Sequence, residues 1–262
     1  MNSPRKLINP GTIDMRVLRV ELEAPVCSFR YPHFLVGKQL TFDMPPPATI
    51  YGHIASALGE LPEPTSFRFA YRFTASGKGE DLENQHIIVP GGRPFAIGGA
   101  AFPSSTSATV QPTARQFLFN CRLTLYLDRL DFEDSFRNPR FTVVLGRSQD
   151  LGCYSKIEII DLVSAGRGYY EDTILPGDFR RRTGRGVTVF MPRYVSPPPR
   201  RDAIFDRYIL LHERIYDGPT ADGDLGTRQM IRLGDEDARL LVDPDSPEWR
   251  GAHRALAFHS FS

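Results

Sequence analysis

The chain has 262 residues, 41% of them hydrophobic, which is enough to bury a substantial core as one large domain or as a domain with an appendage. No apolar run reaches the length of a membrane span, and MNSPRKLINP at the start carries no hydrophobic signal region, so a cytoplasmic location is expected. The three cysteines, Cys27, Cys121 and Cys153, are odd in number and far apart, which argues against a disulfide framework or a zinc knuckle.

The net charge of +1 hides a division along the chain. From 166 to 201 eight arginines face three acids (8 − 3 = +5), whereas from 202 to 262 seven arginines face twelve (7 − 12 = −5). Arginine outnumbers lysine 28 to 4, a ratio raised equally by a GC-rich genome or by selection for forked phosphate contacts.

In chain order, Leu18, Val20 and Leu22 alternate with Arg19, Glu21 and Glu23, the period-two pattern of a half-buried strand. A basic, aromatic loop follows, containing Arg30, Tyr31, His33 and Lys38. Pro45, Pro46 and Pro47 cannot extend a strand, but a proline fits the first helical turn, where its missing N–H costs nothing. A helix is therefore expected from Pro47. Ile50, Ile54, Ala57 and Leu58 recur at helical spacing, and Gly59 falls where a left-handed cap ends the element near Leu58.

A short strand is expected over Ile87–Val89. The segment 91–115 is too rich in glycine and serine for a packed helix and too long for an ordinary hairpin turn. Phe117, Phe119, Cys121, Leu123, Leu125 and Leu127 are then expected on one face of a long strand. Residues 132–137 permit a short helix before Asn138-Pro139, and Phe141–Leu145 reads as a further strand stopped at Gly146. These pieces give the order β-α-β-β-α-β, an α+β, ferredoxin-like plan also used by RNA-recognition modules.

Several of these stretches resemble the Cas-five family, the RAMP-type subunit that caps the 5′ handle of the guide RNA in type I CRISPR Cascade complexes, the I-B variety above all. The resemblance is carried by Ala24-Pro25, Ser28-Phe29-Arg30, Pro45-Pro46-Pro47-Ala48-Thr49-Ile50-Tyr51-Gly52, Ala57-Leu58-Gly59, Arg115-Gln116-Phe117-Leu118 and Leu145-Gly146-Arg147-Ser148. It covers roughly residues 1–165. It implies a ferredoxin-like domain over 1–165 with a β-hairpin thumb inserted at about 91–115, and a mainly β extension over 166–262.

The resemblance further implies a non-catalytic crRNA-binding subunit without cofactor or metal. Its partners would be the crRNA 5′ handle, the backbone and large subunits, and in some arrangements target DNA, in interference or in guided transposition. Combining charge with position at element ends gives Arg30, Tyr31, His33, Lys38, Arg115 and Arg147 as RNA contacts. Phe95 or Phe102 would wedge against a base from the thumb. Arg181 and Arg182 belong to the densest basic cluster, Arg180–Arg185, which fits RNA, DNA, a partner subunit or a solvated strand edge.

A metal-independent endoribonuclease that processes pre-crRNA is the alternative, because one branch of the same family cuts precursors. That chemistry needs a base for the 2′-hydroxyl and an acid for the leaving oxygen. Tyr31, His33, Tyr51, His53 and His86 offer the residue types, with Lys38 as the lysine near them. A phosphate-binding GxxxxGK[ST] loop, HExxH and GxSxG are all absent from the sequence. A protein–protein adaptor is the third reading. It rests on the apolar runs Tyr208-Ile209-Leu210-Leu211 and Leu240-Leu241-Val242 and on Trp249 as an anchor.

Overall fold

The fold, a computed structural model, is described for residues 13–33, 37–181, 183–218, 230–231 and 239–261. Its strands are β1 (Ile13–Cys27), β2 (Lys38–Gln39), β3 (Phe69–Thr74), β4 (Gly77–Ile97), β5 (Ala100–Leu127), β6 (Cys153–Ala165) and β7 (Gly168–Tyr170). They continue with β8 (Thr173–Pro176), β9 (Val187–Val195), β10 (Ala203–Leu211), β11 (Ile215–Asp217), β12 (Met230–Ile231), β13 (Leu240–Asp243) and β14 (Arg254–Ala255). Among the described residues helices are few: α1 (Pro47–Leu58), α2 (Glu133–Arg137) and two short 3₁₀ turns. The described residues form a mixed α/β fold with about half of their backbone in strands.

β1 is the centre of the larger sheet, antiparallel to β5 on one side and to β6 on the other, with β3 antiparallel to β5 beyond. The local order is therefore β6-β1-β5-β3. Past β6 the sheet continues through β13, β14, β7, β11 and β12. A second sheet has the order β8-β10-β9. The alternation in β1 places Leu18, Val20 and Leu22 on the face that meets α1, all at 1% exposure or less. Ile50, Tyr51, Ile54 and Ala57 of the helix belong to the same cluster, as do Ile174, Met191, Tyr208 and Leu210 of the small sheet. The helix is thus enclosed between two sheets, and Tyr51 meets Tyr194 of β9 edge to face at 5.1 Å. Burying an aliphatic side chain of this size is worth about 2 kcal/mol, so this shared core makes the helix position rigid.

The helix begins and ends where proline and glycine dictate. Pro47 is its first residue, and Gly59 takes φ +82° while donating its N–H to the Ala55 carbonyl at 2.8 Å. Any side chain at Gly59 would also meet Arg140, whose Cγ would stand 2.5 Å from the added Cβ.

On the opposite sheet face, Arg19 of β1 is 8% exposed and donates to Asp243 at 3.0 Å, while Tyr126 of β5 donates to the same Asp243 oxygen at 2.8 Å. Burial lowers the pKa of Arg19, but Glu158 and Asp243 outweigh it and hold the guanidinium above the usual arginine range. This junction fastens the turn after β13 to the two central strands.

Several expectations need correction. Residues 141–145 form no strand: Val144 makes a single bridge to Leu151, Phe141 is 57% exposed, and Leu145 alone is buried. The strand that follows α2 is β6 instead. Ile87–Val89 lies within the 21-residue β4, which pairs with β5 from Gly77↔Phe119 to Ile97↔Ala100. The glycine- and serine-rich segment is therefore part of a long two-stranded ribbon that turns at Gly98-Gly99, both at positive φ. Phe119 does not share the core face of β5: it is 55% exposed, and Leu118 is buried in its place. Asn120 at φ +52° breaks the alternation. Its side chain, donating to Ser76 Oγ at 2.9 Å, supports the left-handed turn.

Candidate nucleic-acid interface

Three arginines from three separate elements converge at the foot of the ribbon. Arg30 follows β1, Arg115 lies on β5 opposite Asp81 of β4, and Arg147 stands in the turn after Gly146. Together with Glu83, Gln149, the Ser28–Phe29 segment and Thr49 of the first turn of α1, they line an open cavity of about 390 Å³. The lining brings three positive charges against one carboxylate. α1 adds to this field, since its first turn holds no acidic residue and no side chain caps it.

Gly146 sets the turn. At φ +109° it lies so close to the chain after β1 that an added Cβ would stand 2.6 Å from the Ser28 carbonyl oxygen. Asp150 then closes the turn by accepting the Arg147 N–H at 3.0 Å, and Arg147 Nη2 reaches Asp150 at 2.8 Å. The same guanidinium contacts Glu83 at 2.5 Å. Burial lowers the pKa of Arg147, yet Asp150 and Glu83 prevail and raise it above the ordinary arginine range.

Arg115 is held differently. Its Nη2 donates to Gln39 of β2, and its Nε lies 2.9 Å from Glu83. That contact has the distance of an ion pair but not the direction of a hydrogen bond, so the buried Nε–H has no acceptor. Burial lowers the pKa of Arg115; Glu83 opposes this, and the charges of Arg147 and Arg30 reinforce it. Arg30 is exposed and, among the described residues, makes no ion pair. The site therefore holds a surplus of guanidinium charge, which suits a phosphodiester.

The other expected contacts are dispersed. Tyr31 stacks on the buried Phe42 at 3.7 Å and is half-buried, with its phenol pKa raised by desolvation and by Asp43. Lys38 pairs with Glu80 beside the cavity. Phe102 stacks on Phe95 at 5.8 Å near the ribbon tip. It is thirteen residues along β5 from Arg115, about 43 Å at strand rise, and so outside the cavity. Arg181 ends a 3₁₀ turn beside β8, and Arg182 lies outside the described residues.

His53 is 6% exposed, with its ring nitrogens bonded to the Val144 carbonyl and the Tyr154 hydroxyl, and Tyr51 donates to the Pro62 carbonyl. Both are built into the core. Of the adaptor features, Tyr208–Leu211 is buried in the small sheet, Leu240–Val242 pairs with β6, and Trp249 packs edge-on against Tyr169 at 5.9 Å.

The sequence reading missed Glu83, Gln39 and Asp150, which orient the arginines. A lone Glu in a strand carries no signal until strand pairing is known. A larger cavity, about 690 Å³, lies on the opposite sheet face, where Arg19, Arg214 and Arg254 are paired with Asp243 and Glu171. Among the described residues no group of three or more His, Cys, Asp or Glu side chains could hold a metal ion, and no helix is long and apolar enough to cross a membrane.

No family model matches the chain, and no curated protein does. Solved structures that align with the chain include a chain of a CRISPR RNA-guided surveillance complex, at 14% identity and a TM-score of 0.47 over 74% of this chain and 88% of that one. A CRISPR protein from Archaeoglobus fulgidus is 10% identical, with a TM-score of 0.48 over 94% of this chain and 100% of its own. A chain of a type III-B Cmr-beta complex bound to cognate target RNA is 11% identical, with a TM-score of 0.43 over 76% and 85%. Identity is low in all three, and the functional reading rests on the geometry of the arginine cavity.

Proposed function

We propose that the protein is a non-catalytic crRNA-binding subunit of a type I CRISPR Cascade effector, acting in the cytoplasm. It caps the 5′ handle of the guide and contacts the backbone and large subunits, for RNA-guided DNA targeting in interference or in guided transposition. The observation that carries this reading is the convergence of Arg30, Arg115 and Arg147 on one cavity at the N-terminus of α1. Those residues lie in the motifs on which the Cas-five resemblance was drawn. The antiparallel order β6-β1-β5-β3, with α1 after the first strand and α2 before the last, is compatible with a ferredoxin-like RNA module and supports this reading. In this reading the β4–β5 ribbon serves as the thumb.

The test is to co-express the protein with a CRISPR array and its neighbouring subunits, purify it, and sequence the bound RNA. Handle-bearing guides are expected. An intact complex that lacks them refutes the reading. Incubating the purified protein alone with repeat RNA in EDTA addresses catalysis, since site-specific cutting there would establish the nuclease alternative.

A further inference from the structure

The loop that supplies Arg30 also reaches the small sheet. Three residues on, His33 lies 5.6 Å from Phe205 of β10 with their rings inclined by 29°, and Phe205 lies 5.2 Å from Phe190 of β9 at 20°. The three rings form one offset stack. Phe190 is its open end: it is 53% exposed and meets no other ring than Phe205 among the described residues.

The stack lies apart from the core side that β9 and β10 already have. Met191, Tyr208 and Leu210 point into the shared core, whereas Phe190 faces solvent. Strand register sets Arg207 directly opposite Phe190. Across 187–211 four arginines (193, 200, 201 and 207) stand against Asp202 and Asp206, a surplus of 4 − 2 = +2. An exposed flat ring beside an arginine, inside a basic segment, suits a ligand with alternating planar bases and phosphates better than an apolar protein surface.

We infer that His33, Phe205 and Phe190 form a stacking platform for single-stranded RNA, continuing the path of the strand held in the arginine cavity. This rests on the RNA-binding reading above and extends it. Arg30 and His33 are three residues apart, at most about 11 Å of extended chain, so a strand gripped at the cavity passes within reach of the stack. A base adds to the open face of Phe190, and Arg207 receives the adjoining phosphate. No bond is made or broken.

The experiment uses the full chain and a fluorescent repeat RNA carrying 4-thiouridine at successive positions, with crosslinked peptides mapped by mass spectrometry and affinities read by anisotropy. The platform predicts crosslinks to the peptides holding Phe190 or Phe205. Phe190→Ala should weaken binding about five- to a hundredfold without changing the salt dependence, because stacking releases no counterions. Phe190→Trp should bind as well as the parent. Phe205→Ala provides a second lesion if Phe190→Ala proves poorly soluble.

If Arg30→Ala weakens binding while Phe190→Ala and Phe205→Ala do not, and crosslinks fall only on peptides of the cavity, the platform is refuted and the RNA reading stands. If RNA affinity survives but Phe190→Ala loses a neighbouring subunit, the surface is a protein-docking face and the inference is overturned. If the parent protein binds no RNA by itself or in its complex, the functional reading falls and the platform falls with it.

Discussion

Arg30→Ala separates a binding role from a folding role more cleanly than any other change in the cavity. The side chain is exposed and unpaired among the described residues, so its removal should alter stability by no more than about 0.5 kcal/mol. Arg115 and Arg147 differ, since both are tied to Glu83, and truncating either would disturb the site as well as the ligand. If Arg30 contacts a phosphate, its loss removes one charged hydrogen-bonding group, worth roughly 1.5–3 kcal/mol, or about a 10- to 100-fold rise in Kd. It should also lower the slope of log K against log salt by about 0.7, the value for one single-strand phosphate. Anisotropy titrations of labelled repeat RNA at several salt concentrations measure both quantities. Arg30→Lys should keep the slope and lose part of the affinity, because an ammonium retains the charge without the fork. Unchanged Kd and slope in Arg30→Ala, with an unchanged melting curve, would remove Arg30 from the interface and weaken the cavity assignment.

Two further outcomes follow from the geometry. Gly146→Ala must place a Cβ against the Ser28 backbone from a left-handed conformation. Strain of about 1–2 kcal/mol and overpacking of about 1–3 kcal/mol should lower Tm by several degrees and displace Arg147 together with it; an unaltered Tm would show that the turn relaxes freely. Burial lowers the pKa of His259 to about 4, so the folded ring stays neutral while the unfolded one takes up a proton below its ordinary value of 6.5. Stability should therefore fall as pH drops from 6.5 towards 4, by up to about 3 kcal/mol from this residue. Urea unfolding at several pH values should show a shallower fall in His259→Gln, and equal falls in the two proteins would contradict the assignment.

What the sequence revealed depended on how local the governing interaction was. α1 was legible to the residue, because the missing N–H of Pro47 and the positive φ of Gly59 are properties of single positions. The arginine cavity was legible in part: Arg30, Arg115 and Arg147 were found as charges at element ends, although nothing local shows that they meet. Their meeting is decided by β5 pairing with both β1 and β4 and by Gly146 lying against Ser28. The inversion of Phe119 and Leu118 was illegible for a related reason, since a left-handed Asn120 breaks a two-residue period that otherwise reads as unbroken. β6 carried a usable signal in Ile157, Ile159, Ile160 and Val163, obscured by Lys156, Glu158 and Asp161, whose charges pair with one another or with Arg16 and Arg19 of β1. The stack of His33, Phe205 and Phe190 joins residues more than 150 positions apart and leaves no trace in spacing.

The partners of Arg19 impose an order on folding. Asp243 lies 224 residues further along the chain, and Glu158 139 residues further. During synthesis β1 emerges first, but its guanidinium has nothing to neutralise it inside the sheet until those carboxylates arrive. Burying an unpaired arginine costs several kcal/mol, so the first strand should stay hydrated and unsettled while the helix and ribbon form beside it. Pairings over such sequence separations are slow to close. The central strand of the sheet should thus be among the last to become fully native, and a nascent chain halted before Asp243 would hold its aliphatic face without a finished lock on the other side.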